Sequence, residues 1–577
     1  MPRPVQAATE ARAWRRPAFL AILMLTLGWA LVMQASGWAQ TSNYALVRAL
    51  ARGTATIDDY HWETRDKTYL DGHFYSVKAP GLAFLTLPLY ELLDAVDAPR
   101  ASRWAARRAD EGGAGRWVQG GPPRGNYGNS KARATEVRKT IDEETPVVWA
   151  LGLLGVIAPA LVLLLLVRAL AERIQPGYGT AAAVTLGVCT LVMPFATLFF
   201  SHVLAAMLGF AAFALLWHER EGPPRLALVA AAGLLAGLSV TTEYPLALAG
   251  AIVGLYALSR GDVIRRGLSY AGGVVVGLLP LFVYNLWAFG SISHFSYENA
   301  VRLQGVTGHA VLGLNDQGFF GITNPSPIYA LGLLFSGRGL LILSPVLVAG
   351  IAGTVLLYRA GKRAEALTVG AVSLAYLAYN AGYYLPFGGG SPGPRFLIPI
   401  LPFLALGLAI AYRRFPATTL ALAVPSAVLM VAGTITLPLI GNGDIGAWTH
   451  LLDAGIFEHT VVSSLGGDNS WPAIAPVFAA LALAVAFATR ATGSQELARE
   501  GALPFAAIAC WALVAALAPV LFGQDSAGAN NRQALILILI AATVSVVTLT
   551  AALLVEQRPW ERRLLAGRGG AQRGVTS

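Results

Sequence analysis

Apolar stretches about 20 residues long, recurring from one end of this chain to the other, constrain it more than any other feature. A bilayer core about 30 Å thick is crossed by a helix of about that length, and its interior offers no water to unpaired backbone groups. On that basis the 577 residues hold about fourteen candidate spans. They centre near residues 27, 158, 187, 208, 233, 252, 277, 348, 374, 403, 428, 480, 512 and 544. The stretches around 187 and 208 run together and the one ending at Arg260 is short, so the range is 12–14. The expected fold class is an all-α polytopic membrane protein. Only 13% of the residues are charged, against roughly 25% in soluble domains, which agrees. Cys189 and Cys510 both fall in apolar stretches, which leaves neither a disulfide framework nor a zinc-ribbon spacing.

Charge in the connecting loops sets the orientation. With Arg12, Arg15 and Arg16 in the cytoplasm, alternation places Arg168 and Arg173 inside, then Arg220 and Arg225, then Arg260, Arg265 and Arg266. Arg359, Lys362 and Arg363 follow, then Arg413 and Arg414, Arg490 and Arg499, and the tail with Arg558, Arg562 and Arg563. The short outer loops near 390, 450 and 527 are almost free of Lys and Arg, which is the positive-inside pattern. The formal net charge of +10 thus reflects orientation in a membrane, and no nucleic-acid partner is expected. The first apolar run, Ala18 to Gly37, exceeds the ~7–15 residues of a signal-peptide core, so it reads as a retained helix. The chain divides into a cytoplasmic N-terminus (1–16), a first span (17–37), a large outer loop (38–145), a helical core (146–440), an outer loop (441–470), C-terminal spans (471–556) and a cytoplasmic basic tail (557–577).

The outer loop gathers most of the ionisable chemistry. Ser42 to Thr54 spaces Tyr44, Val47 and Ala51 on one row and Leu46 and Leu50 on another, with Arg48 and Arg52 on a polar side, which predicts an amphipathic surface helix. "LAFLTLPLYELLDAV", from Leu82, predicts a second. Between them lie Asp58, Asp59, His61, Glu63, Arg65, Asp66, Lys67, Asp71, His73, Tyr75 and Lys78. A basic, Gly-rich section from Arg100 to Lys139 completes this loop, and a second long outer loop runs from Gly290 to Arg338. His202 and Glu243 stand at predicted outer ends of helices, where each could line a cavity.

This layout resembles the GT-C superfamily of membrane glycosyltransferases, which includes protein O-mannosyltransferases and the aminoarabinose transferase of lipid A. "DGHFYSVKAPGLAFLTLPLYELL", from Asp71, is similar to their segment of aromatic, Lys, Pro and surface helix. "LLFSGRGLLILSPVLVAGIAG" (Leu333 to Gly353) and "FGGGSPGPRFLIPILPFLALGLA" (Phe387 to Ala409) are similar to later segments, and the resemblance covers about residues 15–415. It implies transfer of a sugar, with inversion, from a polyprenyl-phosphate donor to a cell-envelope glycan, lipid or protein, on the outer face of a bacterial inner membrane. The family's acidic pair is absent here: its place reads "TSNYAL", with Ser42 and Asn43. The base is therefore sought among later acids, Asp58 and Asp66 first, Asp59 and Asp71 behind them.

The chemistry asks for a carboxylate near the acceptor hydroxyl and cations for the leaving phosphate. Lys78, Arg338 and Arg395 are the candidate phosphate ligands, with Tyr75, His202 and Glu243 as further substrate-binding candidates. No cofactor is required by this reading. A divalent metal on His61, His73 and neighbouring acids is the open alternative, though the spacing assigns no metal ligands. The loop acids could equally form a solvated surface paired with Arg65, Lys67 and Lys78. A transporter or flippase of lipid-linked sugars is the rival function; it predicts ionisable groups at the midplane, where this sequence has almost none. No P-loop, Gly-x-Ser-x-Gly or His-Glu-x-x-His motif occurs.

Overall fold

The computed structural model describes residues 4–111, 131–298, 321–439, 445–466, 469–493, 496–522 and 531–556. It is helical throughout, apart from one hairpin. Outside the described residues lie 112–130 of the first outer loop, 299–320 of the second, the outer positions around 441 and 527, and the tail with Arg558, Arg562 and Arg563.

Helix α1 (Pro4–Leu31) leads to α2 (Trp38–Ala51), strands β1 (Lys67–Leu70) and β2 (His73–Ser76), α3 (Gly81–Ala95) and α4 (Ala98–Glu111). Next come α5 (Lys131–Gly152) and α6 (Ala158–Ile174), joined through a π-turn, then α7 (Gly179–Cys189), α8 (Val192–Phe195) and α9 (His202–Glu221). The chain continues with α10 (Leu226–Thr242), α11 (Leu246–Leu258), α12 (Val263–Phe289), α13 (Pro327–Phe335), α14 (Leu340–Leu343) and α15 (Val346–Arg359). Helices α16 (Arg363–Gly382), α17 (Leu401–Arg414), α18 (Pro416–Thr436), α19 (Gly446–Asp453), α20 (Val461–Gly466), α21 (Trp471–Arg490), α22 (Leu503–Phe522) and α23 (Asn531–Glu556) complete it.

All fourteen predicted centres fall inside helices. Seven described helices are long and apolar enough to cross a membrane, or eight if α13–α14 and α15, bent by 92°, form one span. The protein is an all-α, multi-pass membrane protein. Several predicted spans are shorter than a bilayer core: the 17 residues of α10 and the 13 of α11 reach about 25 and 20 Å at 1.5 Å per residue. The break at Glu243–Tyr244–Pro245 explains both, because Pro245 supplies no amide hydrogen to continue the ladder.

Helices α10 and α12 approach closely because each presents two glycines one turn apart. A Cβ at Gly233 would collide with the Tyr270 carbonyl, and one at Gly277 with the Leu234 carbonyl; Gly237 and Gly273 face similar neighbours. This is the small-xxx-small packing of membrane helices. Thr241 Oγ1 donates to the Gly277 carbonyl across the same seam, at 2.9 Å.

Both predicted helices of the outer loop form. Helix α2, however, is covered on every side: residues 39–50 are all buried. Arg48 tolerates this because Glu63 pairs with it and the rings of Tyr44 and Tyr60 lie 4.3 and 3.9 Å from its guanidinium carbon. The hairpin between the helices pairs Lys67 with Ser76 and Leu70 with His73. Asp71 and Gly72, at φ 50° and 88°, make its two-residue turn, the left-handed geometry that Asp-Gly favours.

Charge separates along the bundle. Helix α9 carries His202 at its start and Glu219 about 25 Å away near its end. Glu219 is fully buried and takes both Arg266 Nη atoms at 2.9 Å and Arg260 at 2.6 Å. Glu365 beside it accepts from Tyr256 at 2.9 Å and lies 3.6 Å from Arg220. These are the arginine-rich loops that the sequence assigns to the cytoplasm.

Candidate active site

The site is assembled at the opposite end, starting from the hairpin. Ser42 Oγ donates to the Asp66 carbonyl at 2.5 Å and lies 2.8 Å from Ser76 Oγ, which fixes α2 against both edges of the loop. Thr64 Oγ1 donates to the Trp38 carbonyl at 2.7 Å. Held in this way, Asp66 presents Oδ2 to Lys78 Nζ at 2.6 Å, with both side chains mostly buried. Val77 packs on Tyr297 and Tyr384, and its carbonyl accepts from Ser296 at 3.0 Å.

Pro80 and Gly81 then drive the start of α3 against the end of α10. A Cβ at Gly81 would lie 2.6 Å from Thr242 Oγ1, so only glycine allows this approach. The next residue after Thr242 is Glu243, which the contact sets beside Lys78. Glu243 Oε1 accepts from Ser201 and lies 2.7 Å from His202 Nδ1. Lys78 and Arg395 are near enough for their charges to act on His202.

Arg395 arrives from a third part of the chain. Its guanidinium lies 5.5 Å from the Phe200 ring and 5.3 Å from the Phe396 ring, and among the described residues it forms no ion pair with a carboxylate. Gly388, at φ +80°, lets the preceding loop fold over the Arg395 stem. Arg338 packs on that loop: its Nη1 donates to the Ser391 carbonyl at 3.3 Å and it lies over Phe387 at 4.8 Å. A cavity of about 10 Å³ is lined by His202, Glu243, Tyr376, Arg395, Phe396 and Pro399, room for about one oxygen atom.

Five of the ten predicted residues therefore meet: Asp66, Lys78, His202, Glu243 and Arg395, with Arg338 joined to them through the loop. The other acids face elsewhere. Asp58 takes the Phe74 amide at 2.6 Å and His73 Nδ1 at 2.7 Å; Asp59 pairs with Arg52 at the exposed surface; Asp71 is the hairpin turn. Tyr75 packs against the Phe289 ring at 4.9 Å.

His61, one of the possible metal ligands, stacks flat on Phe74, with centroids 4.0 Å apart, and its carbonyl accepts from Lys67 Nζ at 2.6 Å. A cation at that position opposes a metal ion there. Among the described residues no group of three or more His, Cys, Asp or Glu could hold one. Lys67 itself is fully buried. Burial, with Arg65 nearby, holds its pKa down to about 7.

Sequence reasoning passed over Ser201, Ser76, Lys67 as a buried amine, and the aromatic wall of Tyr376, Tyr384 and Phe396. Ser201 stands next to His202 and could have been flagged on that ground. The His202–Glu243 pairing joins residues 41 apart and has no local signal.

The sequence matches no protein-family profile and no curated protein. Among solved structures similar to this chain is ArnT from Cupriavidus metallidurans in the apo state, at TM-score 0.45 and 16% identity over 93% of this chain and 78% of that one. ArnT from the same organism bound to undecaprenyl phosphate overlaps at TM-score 0.41 and 15% identity, over 91% and 87%. An apo oligosaccharyltransferase from Archaeoglobus fulgidus overlaps at 0.37 and 10%, over 82% and 56%. The overlaps are loose and assign no residue a role.

Proposed function

We propose that this protein is a GT-C-type membrane glycosyltransferase. It takes a sugar from a polyprenyl-phosphate donor and transfers it to a cell-envelope glycan, lipid or protein on the outer face of a bacterial inner membrane, with both termini cytoplasmic. The observation that carries this reading is the buried Asp66–Lys78 pair, set beside Arg395 and the His202–Glu243 pair at the end of the bundle away from the arginine-rich loops.

Asp66 is the base. In the resting site its carboxylate is engaged by Lys78 at 2.6 Å. A donor phosphate competes for the Lys78 ammonium and for the Arg395 guanidinium, whose planar fork suits phosphate oxygens. Once Lys78 turns to the phosphate, Asp66 is released to take the acceptor's hydroxyl proton. Arg338 supports the grip by holding the loop that carries Arg395.

The test is transfer by purified protein from a panel of radiolabelled polyprenyl-phosphate hexoses and pentoses. Asp66→Asn is expected to lower kcat by about 100-fold or more, as loss of a general base does, while donor binding persists. Lys78→Ala and Arg395→Ala are expected to raise KM for the donor. Full activity of Asp66→Asn removes the proposed base. Movement of a donor across liposomes without turnover would decide for a transporter.

A further inference from the structure

His202 opens α9 with one of its nitrogens unaccounted for. Nδ1 is taken by Glu243 at 2.7 Å, whereas Nε2 is buried and has no hydrogen-bond partner among the described residues. The side chain is 8% exposed, and an unmade hydrogen bond at that depth is costly and uncommon. Phe195, Phe200 and Phe396 enclose the ring, with centroids 5.5–5.8 Å away, so it has little freedom to find another partner. His202, Glu243 and Arg395 line the same one-oxygen cavity. Three charged groups that act on the imidazole come from different parts of the chain: Glu243 after α10, Lys78 after β2, Arg395 before α17. With Glu243 already engaged by Ser201 and His202, the Arg395 guanidinium and the imidazole at the wall of room for one oxygen suit an oxygen that is gaining negative charge.

We infer that His202 Nε2 is the proton donor to the leaving phosphate oxygen, with Glu243 as its positioning residue. The inference rests on the transfer reaction proposed above. In the step, a bond forms between the acceptor oxygen and the anomeric carbon. The bond from that carbon to the phosphate oxygen breaks, and its electron pair stays on the phosphate. That oxygen takes the proton from Nε2 while Asp66 takes the proton of the acceptor hydroxyl. Glu243 keeps the Nδ1 proton hydrogen-bonded throughout, which fixes the ring and its orientation toward the phosphate. Solvent then reprotonates His202 and deprotonates Asp66.

The experiment follows kcat against pH for the full-length protein, with a polyprenyl-phosphate sugar that the wild type turns over. An acid of this kind gives an alkaline limb, because the imidazolium loses its proton as pH rises. His202→Asn keeps a polar group toward Glu243 but deletes Nε2, and is expected to lose about 100-fold in kcat together with that limb. Glu243→Gln is expected to lose about 10-fold and to move the limb to lower pH, since removing the carboxylate makes the imidazolium a stronger acid. A purely structural role would not move the limb. His202→Asn with kcat within about twofold of wild type and its limb intact overturns the inference and leaves the transferase standing. So does a wild-type kcat that stays flat from about pH 6 to 9.5, a result that needs no variant to fold. If the wild type turns over no donor at all, the transferase reading falls and this one with it.

Discussion

Lys67 shows how strongly one position in the outer loop is governed by its surroundings. Its amine lies under the rings of Trp62 and Phe74, at 5.6 and 5.2 Å, with the His61 carbonyl as its acceptor. An unfolded lysine titrates near 10.4, and this one at about 7. Between those values the unfolded chain binds the extra proton, so stability rises with pH from about 7 to about 10 and loses that gain as pH falls back through 7. Lys67→Met, which has no charge to bury, is expected to raise the thermal midpoint in detergent at pH 6.5 and to lose this rise. A gap between variant and wild type that is the same at pH 6.5 and 9.5 would contradict it. In sequence, Lys67 is one more charge in a charged run. Its burial follows from the strand register and from Phe74 and Trp62, which no local pattern places above it. Asp66 and Asp58 are equally plausible bases by composition. Only the fold turns one toward Lys78 and gives the other to His73 and the Phe74 amide.

Among the elements, the helices were legible because apolar runs of about 20 residues have few alternatives in a membrane. The hairpin was less so, since strands of only four residues, Lys-Thr-Tyr-Leu and His-Phe-Tyr-Ser, are too short to show a clear alternation; Asp71-Gly72 was its one strong signal. The polar side expected for α2 is covered because Arg48 finds Glu63, a partner 15 residues away that a helical wheel does not show. The site depends on two element contacts that glycine permits. Gly81→Val is expected to push α3 off the end of α10 and move Lys78 away from Glu243. Its signature is a higher donor KM together with a lowered thermal midpoint, because the added side chain meets the Thr242 backbone. Gly237→Leu, in the α10–α12 seam, is expected to lower the thermal midpoint by several degrees, because a large side chain there meets the Val274 carbonyl. A wild-type midpoint for that variant would contradict the packing described.

Across the whole molecule the two charged ends do different work. At the arginine-rich end Glu219 neutralises Arg260 and Arg266 in a buried cluster, at the edge of a cavity of about 310 Å³ lined also by Arg173, Glu221 and Arg225. Glu219→Gln leaves those arginines without their counter-charge, and removing one member of a buried pair costs about 3–5 kcal/mol. The expected result is a sharply lower thermal midpoint with unchanged donor KM. For orientation, Asp71→Cys at the hairpin tip, in a Cys510→Ser background, is expected to react with a membrane-impermeant maleimide on intact cells. Protection until lysis would reverse the orientation.

The site draws on stretches around residues 66–78, 201–202, 243 and 395, and this has a consequence in time. At about 5–20 residues per second, Arg395 leaves the ribosome on the order of 15–60 s after the hairpin. The hairpin region must keep its shape alone for that interval. It carries its own small core of Ala45, Ala49, Ile57, Tyr60 and Phe74, and its own Arg48–Glu63 pair, all within about 40 residues of sequence. The buried Arg48–Glu63 pair thus serves the nascent chain, holding the hairpin region with Asp66 and Lys78 in shape until the rest of the candidate site has been synthesised.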